Sequence, residues 1–175
     1  CGCDGLREAV SDNRVARIGR HYTSAVGIRV VSHTDVKWHL CQDNVILHNE
    51  IRETPYCGIE FGGLRSCVEK NAVSGVMRVL NDGAAIYGQG RGHVIRGNVV
   101  GGIPVGKLAA AYYPDEFNED CVIEGNLAVD CAWPSHNHKS RNLVIRNNVF
   151  VNTTGDLKIT TPGSHTVLLE KNIFH

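Results

Sequence analysis

Acidic side chains beside turns and short strands are the residues of this sequence most suited to catalysis. Asp82 lies in an Asn-Asp-Gly turn, Glu60 follows a Gly-Ile pair, and Asp115 and Glu116 follow a pair of tyrosines. Cleavage of a glycosidic bond uses two carboxyl groups, one protonated by its surroundings and the other ionised. These four residues are therefore candidates for catalysis, although Asn-Asp-Gly is also a common turn signal.

The acidic stretch continues beyond Glu116 to Glu119 and Asp120. Such a run is compatible with a solvated surface, and its oxygen atoms could equally hold Ca²⁺. The sequence therefore leaves a calcium site open without requiring one, and it predicts no other cofactor.

His136 and His138 form the second unusual group. Two histidines at positions i and i+2 of a strand point the same way and could bind a metal, donate to a sugar hydroxyl or shuttle a proton. No third ligand follows at a suitable spacing, so we expect substrate contact rather than a zinc site. A lyase would need a basic residue instead, and several are available without a signature that singles one out: Lys107, Lys139, Arg141 and Lys158.

An asparagine repeat indicates the elements that carry these residues. Seven segments have an apolar residue three positions before an Asn and another two positions after it, and the asparagines are Asn13, Asn49, Asn71, Asn98, Asn126, Asn148 and Asn172. The runs before the asparagines are short and β-branched, as in Val45-Ile46-Leu47, which is typical of strands. Short strands repeated in this way predict an all-β chain folded as a parallel β-helix of about six to seven rungs.

The repeated Asn is expected to have a mechanical role. It tolerates the left-handed backbone of a sharp turn, and its amide can hydrogen-bond to the Asn of the neighbouring rung. We therefore predict an asparagine ladder along one edge, with Ile46, Val68, Ile95, Ile123 and Ile145 in one buried column. Because neither end carries a clear cap, residues 1–175 are expected to form one incomplete domain of a longer solenoid that pairs end to end with itself.

Alignment of the rungs predicts one outward face. If Ile28, Ile59, Ile86 and Tyr112 face inward, their next neighbours face outward and form a column of Arg29, Glu60, Tyr87 and Tyr113, joined by His136 or His138. The longer loops of the repeat fall on one edge, which usually marks a binding face. Tyr87 and Tyr113 are suited to stacking on sugar rings, and ordinary packing between rungs is an equally good explanation for each.

Several segments resemble right-handed parallel β-helix proteins of the pectate-lyase-like superfamily. The resemblance covers nearly the whole chain and rests on runs such as Asn49-Glu50-Ile51 and Ile95-Arg96-Gly97-Asn98-Val99-Val100. More narrowly, 81–87 and 111–116 are similar to Asp-Gly-Gly-x-Ile-Tyr and Ile-Tyr-Leu-Asp-Asp/Glu segments of large bacterial β-helix proteins of glycoside-hydrolase type. Ala84 and Pro114 depart from those patterns. The resemblance implies activity on carbohydrates and a secreted, periplasmic or cell-surface location.

Composition excludes several other classes. The chain has 175 residues, 42% hydrophobic, with 18 basic and 18 acidic side chains and no basic block, so we expect no nucleic-acid partner. Its apolar runs are too short for a membrane span. Seven cysteines without a CxxC pair argue against a zinc ribbon and a complete disulfide framework, and we expect most of them to be buried thiols.

Three functions remain open at this stage. The first is a glycoside hydrolase acting on a polysaccharide or oligosaccharide, with Asp82 and Asp115 or Glu116 as its carboxylates and Glu60 as the replacement for Asp82. The second is a polysaccharide lyase that uses a cation and a Lys, Arg or His base. The third is a solenoid without catalytic activity that binds glycans or serves a structural role.

Overall fold

The structure is a computed structural model that describes residues 6–31, 41–106, 108–153, 157–160 and 166–175. Within these ranges all regular structure is β-strand, and each strand pairs in parallel with the strand one rung away. Three sheets result, two with seven strands and one with six, which agrees with the predicted six to seven rungs. The prediction of a parallel β-solenoid is confirmed.

Each of the first six rungs contributes one strand to each sheet in chain order, and β19 and β20 extend the first two sheets by one more strand. The first sheet contains β1 (Ala9–Ser11), β4 (Val45–Leu47), β7 (Cys67–Glu69), β10 (Val94–Arg96), β13 (Val122–Glu124), β16 (Leu143–Arg146) and β19 (Val167–Glu170). The second contains β2 (Arg14–Ala16), β5 (Glu50–Arg52), β8 (Ala72–Ser74), β11 (Val99–Ile103), β14 (Leu127–Cys131), β17 (Val149–Val151) and β20 (Ile173–Phe174). The third contains β3 (Ile28–Val30), β6 (Ile59–Phe61), β9 (Gly83–Gly88), β12 (Ala109–Pro114), β15 (Trp133–His138) and β18 (Lys158–Thr160).

The core is built from columns of apolar side chains in register. In the first sheet the central residue of each strand pairs with its counterpart, and the predicted column of Ile46, Val68, Ile95, Ile123 and Ile145 is at most 1% exposed. A three-residue strand of this sheet, such as β4 or β10, buries only its central side chain, because the side chains next to it point the other way. Stability must therefore come from stacking one rung on the next.

The asparagine ladder joins the first and second sheets. Each Asn from Asn13 to Asn148 donates from Nδ2 to Oδ1 of the next Asn at 2.9 to 3.0 Å, and the same Oδ1 accepts its backbone N–H. The predicted ladder is thus present. The predicted left-handed backbone is wrong for the Asn itself, since the residue before it adopts that conformation, as in His48, Lys70 and Asn147 with φ of 54° to 55°.

The connections from the second sheet to the third vary in length. Residues 17–27, 53–58, 75–82 and 104–108 make this connection in four successive rungs, whereas Ala132 alone separates β14 from β15. The turns between the first and second sheets are uniformly short, because the ladder fixes their length. The corner between the second and third sheets therefore carries loops that differ from rung to rung, as the sequence predicts. The connections from the third sheet back to the first also differ, as in 62–66 and 115–121.

Cysteines contribute to the core as thiols. Of those in the described ranges, Cys41, Cys57, Cys121 and Cys131 are buried and Cys67 is half-buried, and none forms a disulfide. Burial raises the pKa of Cys57, Cys121 and Cys131 to about 12. Cys1 and Cys3 lie outside the described residues. The described ranges also contain no helix of the length and apolarity that a membrane span requires.

Candidate functional site

The outward column of the third sheet has the predicted composition. The register pairs Arg29 with Glu60, Glu60 with Tyr87 and Tyr87 with Tyr113. Tyr112 pairs with Ser135, so His136 is the next residue of the column, and it pairs in turn with a lysine, Lys158. His136 rather than His138 therefore extends the column. This order places two ionic residues at one end, aromatic residues in the middle and a cation at the other end.

Aromatic packing between rungs fills the middle of the column. The rings of Tyr87 and Tyr113 meet edge to face with centroids 5.2 Å apart, and Tyr113 lies 4.3 Å from His136. Tyr113 is only 3% exposed and also contacts Ala84, Ala110 and Trp133. Of the two explanations given for Tyr113, packing between rungs is the one that the structure supports. Its hydroxyl donates to Asp82, a residue of the surface groove described next.

A groove of about 420 Å³ lies beside this column at the loop-bearing corner. We call it the carboxylate groove; its lining is Asp82, Leu108, Tyr113, Asp115, Glu116, His136, His138 and Lys158. Six of these eight residues are among those selected from the sequence. Three rungs contribute its acidic and histidine side chains. Asp82 precedes the start of β9, whereas Asp115 and His138 lie at the ends of β12 and β15, so the groove runs along the strands of the third sheet.

Asp115 is held at the bottom of the groove by two side chains. Tyr87 donates its hydroxyl to Asp115 Oδ2, and His138 Nδ1 lies 2.9 Å from Asp115 Oδ1. The backbone fixes the same residue, since the Asp115 N–H donates to Gly88 O at 3.0 Å and the Asp115 carbonyl accepts from Asn118 N at 3.0 Å. Asp115 is 9% exposed, so its carboxylate is oriented before any ligand binds.

Asp82 approaches the groove from the opposite side. It has the left-handed backbone of a tight turn, with φ of 58°, and its carbonyl accepts from Tyr56 Oη at 2.7 Å. The turn role that Asn-Asp-Gly indicates is therefore confirmed. Asp82 Oδ1 also accepts from Tyr113 Oη at 3.4 Å.

The two aspartates flank a single hydroxyl group. The Tyr113 hydroxyl donates to Asp82 Oδ1 at 3.4 Å, and burial together with the charge of the nearby Asp115 raises the pKa of Tyr113. A hydroxyl has one proton to donate, and Asp115 Oδ2 accepts its hydrogen bond from Tyr87. The sequence alone left open whether Asp82 and Asp115 were too far apart to act together.

The remaining acidic candidates have ionic partners. Glu116 lines the groove and forms an ion pair with Lys139 on the neighbouring rung. Glu119 pairs with Arg141 at 2.8 Å, and Asp120 pairs with Arg91 at 2.8 Å, both on the side of the first sheet. Among the residues that the structure describes, no three His, Cys, Asp or Glu side chains are grouped to hold a metal ion.

Glu60 and Arg29 lie outside the carboxylate groove. They form an ion pair with 3.2 Å between Arg29 Nη2 and Glu60 Oε1, and Glu60 lies three rungs from His136. The sequence grouped them with the groove residues because they belong to the same column. The column runs along the solenoid, however, and the groove covers only the rungs from β9 to β18.

Burial sets the protonation of the aromatic groups. Burial raises the pKa of Tyr87 and Tyr113 above the usual range, and the hydrogen bond to Asp115 raises that of Tyr87 further, so both hydroxyls remain donors. Burial, Lys158 and His138 lower the pKa of His136 to about 4. His136 is therefore a neutral imidazole at neutral pH.

Lys158, which the sequence named only as one of four available bases, also lines the groove. Its Nζ lies 4.4 Å from the centre of the Trp133 ring, a cation–π contact, and its residue pairs with His136. The signal was available, because His136 and Lys158 each lie ten residues after the Asn of their own rung, Asn126 and Asn148. Lys107, the neighbouring candidate base, lies outside the described residues.

Comparisons of this chain with protein-family models, curated proteins and solved structures found no match.

Proposed function

We propose that this protein is a carbohydrate-active enzyme that hydrolyses glycosidic bonds in the carboxylate groove, with Asp82 and Asp115 as the catalytic pair. The observation that carries the proposal is the placement of both carboxylates beside the Tyr113 hydroxyl in one open groove. The likeness of 81–87 and 111–116 to glycoside-hydrolase-type β-helix proteins of the pectate-lyase-like superfamily supports it from the sequence.

The two carboxylates differ in their surroundings, which favours different roles. Asp115 accepts a hydrogen bond from a tyrosine whose own proton is firmly held, and such a donor stabilises the ionised carboxylate. We therefore assign Asp115 as the base or nucleophile. Asp82 lies at the exposed rim of the groove and is assigned as the proton donor to the leaving oxygen.

Other groove residues are suited to holding a sugar. The imidazole and ammonium groups of His136, His138 and Lys158 are donors to sugar hydroxyls. The rings of His136 and His138 are nearly parallel, with centroids 5.8 Å apart, and so present two polar groups on one side of the groove. A groove open along its length suits an oligosaccharide or polysaccharide chain.

A polysaccharide lyase is the second candidate, and Lys158 favours it. Lys158 shares the groove with His138 and Tyr113, and a lyase requires a base to take the proton beside a uronate carboxyl group together with a cation to neutralise that carboxylate. The products separate the two reactions. A lyase product carries a new double bond that absorbs in the near ultraviolet, and a hydrolase product does not.

The test is turnover of a panel of neutral and acidic polysaccharides by the chain and its isosteric variants. Asp82→Asn and Asp115→Asn are each expected to lower kcat by at least roughly a hundredfold with folding unchanged, because they remove proton transfer or nucleophilic attack but little volume. Asp130→Asn makes the same change at an exposed position of the second sheet and should leave turnover unchanged.

Other outcomes contradict the proposal in distinct ways. Full activity of both groove variants would show that Asp82 and Asp115 are not the catalytic pair. Loss of activity in Glu60→Gln but not in Asp82→Asn would indicate that Glu60 and Asp115 are the pair. Glycan binding by the wild-type chain without any turnover would favour the solenoid without catalytic activity.

A further inference from the structure

A second groove lies at the same loop-bearing corner, nearer the first rungs. It has a volume of about 430 Å³, and we call it the arginine groove after three of its lining residues, Arg17, Arg20 and Arg78. Pro55, Val79 and Glu53 also line it. None of these residues belongs to the carboxylate groove, and neither the sequence analysis nor the proposed function assigns them a role.

Backbone contacts hold the base of the arginine groove in place. The 78–80 segment is tied to the preceding rung, since the N–H groups of Val79 and Leu80 donate to Pro55 O at 2.9 and 3.0 Å. On the other side Gly19 has φ of +72°, and a side chain there would meet Pro55 at 2.5 Å. The turn that carries Arg17 and Arg20 therefore packs directly against the buried Pro55.

The charge of this groove is unbalanced. Three arginines and one acidic residue line the groove, and the acidic residue, Glu53, lies 3.5 Å from Arg78. Elsewhere on the solenoid arginines pair across rungs with acidic residues, as in Arg96 with Glu69 and Arg146 with Glu124. Within the described ranges no ion pair joins Arg17 or Arg20 to a carboxylate. The groove thus presents two unneutralised guanidinium groups beside a third.

We propose that the arginine groove binds a tetrahedral oxyanion, a sulfate or phosphate ester, on a sugar. Guanidinium groups recognise oxyanions through charge-assisted, often bidentate hydrogen bonds. A terminal sulfate or phosphate offers three oxygens, one for each arginine, whereas a carboxylate offers two. The groove is larger than the anion alone, and its apolar floor of Pro55 and Val79 leaves room for the ring that bears it.

The position of the groove connects this ligand with the site of cleavage. The 78–82 loop supplies Arg78 and Val79 to the arginine groove and Asp82 to the carboxylate groove. A glycan chain bound along this corner can therefore contact both grooves. That the anion is carried on a sugar rests on the proposed function, whereas anion binding by the three arginines does not.

Titration of the ¹⁵N-labelled full chain followed by NMR tests the proposal, with the arginine Nε–H signals as the site-specific readout. The probes are oligosaccharides of equal length that are neutral, carboxylated, sulfated or phosphorylated, together with inorganic sulfate and phosphate. We expect the sulfated or phosphorylated sugar to shift the signals of Arg17, Arg20 and Arg78, with weaker affinity for the inorganic ion and affinity that falls with added salt.

A matched pair of double variants separates local binding from general charge. Arg17→Gln/Arg20→Gln should weaken binding by about a hundredfold, since each removes a charge-assisted contact worth about tenfold. Arg14→Gln/Arg52→Gln removes the same charge from the exposed pair around Glu50 on the second sheet and should change affinity by less than about threefold.

Three results would overturn the assignment. They are equal affinity for the neutral sugar, affinity for the carboxylated sugar as high as for the sulfated and phosphorylated ones, and equal losses in the two double variants. The Asp115→Asn variant distinguishes this test from that of the proposed function. It should abolish turnover, while the arginine Nε–H signals should still shift when the sulfated or phosphorylated sugar is added. If the chain binds the anions but hydrolyses no glycan, the anion site is retained and only the inference that the anion is attached to a sugar is wrong.

Discussion

Replacement of Asn98 by alanine is expected to destabilise the solenoid strongly, because this residue occupies the middle of the ladder. Its Oδ1 accepts from the Asn71 backbone N–H at 2.9 Å and from Asn71 Nδ2 at 3.0 Å. Its Nδ2 donates to Val68 O at 2.9 Å and to Asn126 Oδ1 at 3.0 Å. Asn98 is fully buried, so water cannot replace these partners.

The magnitude follows from what each partner retains. Asn71 Nδ2 still donates to two carbonyl groups, and Asn126 Oδ1 still accepts the backbone N–H of residue 98. The buried Asn71 N–H loses its acceptor, which costs about 1 to 3 kcal/mol, and the other lost hydrogen bonds add a net cost of roughly 1 to 2 kcal/mol. We therefore expect the free energy of unfolding to fall by about 2 to 5 kcal/mol.

The assay is urea unfolding followed by circular dichroism, with Asn13→Ala as the matched control. Asn13 is exposed at one end of the ladder, and Asn49 Oδ1 keeps its backbone donor without the Asn13 side chain, so the control should lose less than about 1 kcal/mol. Asn98→Asp should be worse than alanine, because a buried carboxylate would face the Val68 carbonyl. A loss in Asn98→Ala no greater than in Asn13→Ala would refute the ladder as a source of stability.

Three further predictions concern the rest of the solenoid. Burial lowers the pKa of His93 to about 4, so the unfolded chain binds more protons than the folded chain between pH 6.5 and 4. The free energy of unfolding should therefore fall by up to about 1.4 kcal/mol for each pH unit through this range because of His93. A His93→Gln variant whose stability depends as steeply on pH would contradict this. Gly63→Ala should unfold the chain or shift its thermal midpoint markedly, because its φ is +89° and a Cβ would lie 1.8 Å from Cys41 O; an unchanged midpoint would contradict that geometry. The exposed apolar side chains Leu169 and Phe174 on β19 and β20 should promote self-association, and sedimentation should show a Leu169→Lys/Phe174→Lys variant to be less associated than the wild-type chain.

The arrangement of the first two sheets could be predicted from the sequence because their geometry is local. Each Asn from Asn49 to Asn148 lies three residues after one buried side chain and two residues before another, and a short turn of constant length connects the two strands. When parallel rungs stack at this fixed offset, the side-chain amides of the ladder all find hydrogen-bond partners only if each Asn lies beside the Asn of the next rung. The repeat therefore specified the register, the ladder and the column from Ile46 to Ile145. It did not identify the left-handed residue, because the turn places that conformation one position earlier.

The candidate site was only partly predictable, because loops of different length precede each strand of the third sheet. The column could be aligned by its Gly-Ile-like pairs, but strict alternation fails there, since Ala85 and Ile86 both pack in the core. The sequence also could not show that the column is longer than the groove, which leaves out Glu60 and Arg29. The sequence also could not show that Tyr113 is buried, because the side chains that cover its ring belong to neighbouring rungs.

The sequence by itself thus determined a parallel solenoid with an asparagine ladder along one edge. A pattern repeated at fixed offsets places like residues beside each other on neighbouring rungs, where they form the same contacts. Only the tertiary structure decided that Asp82 and Asp115 flank one tyrosine hydroxyl and that Lys158 shares their groove. The physical reason is that these contacts join loops and strand ends of different rungs. Their distances depend on how each loop folds back on the sheet, which no repeat in the sequence encodes.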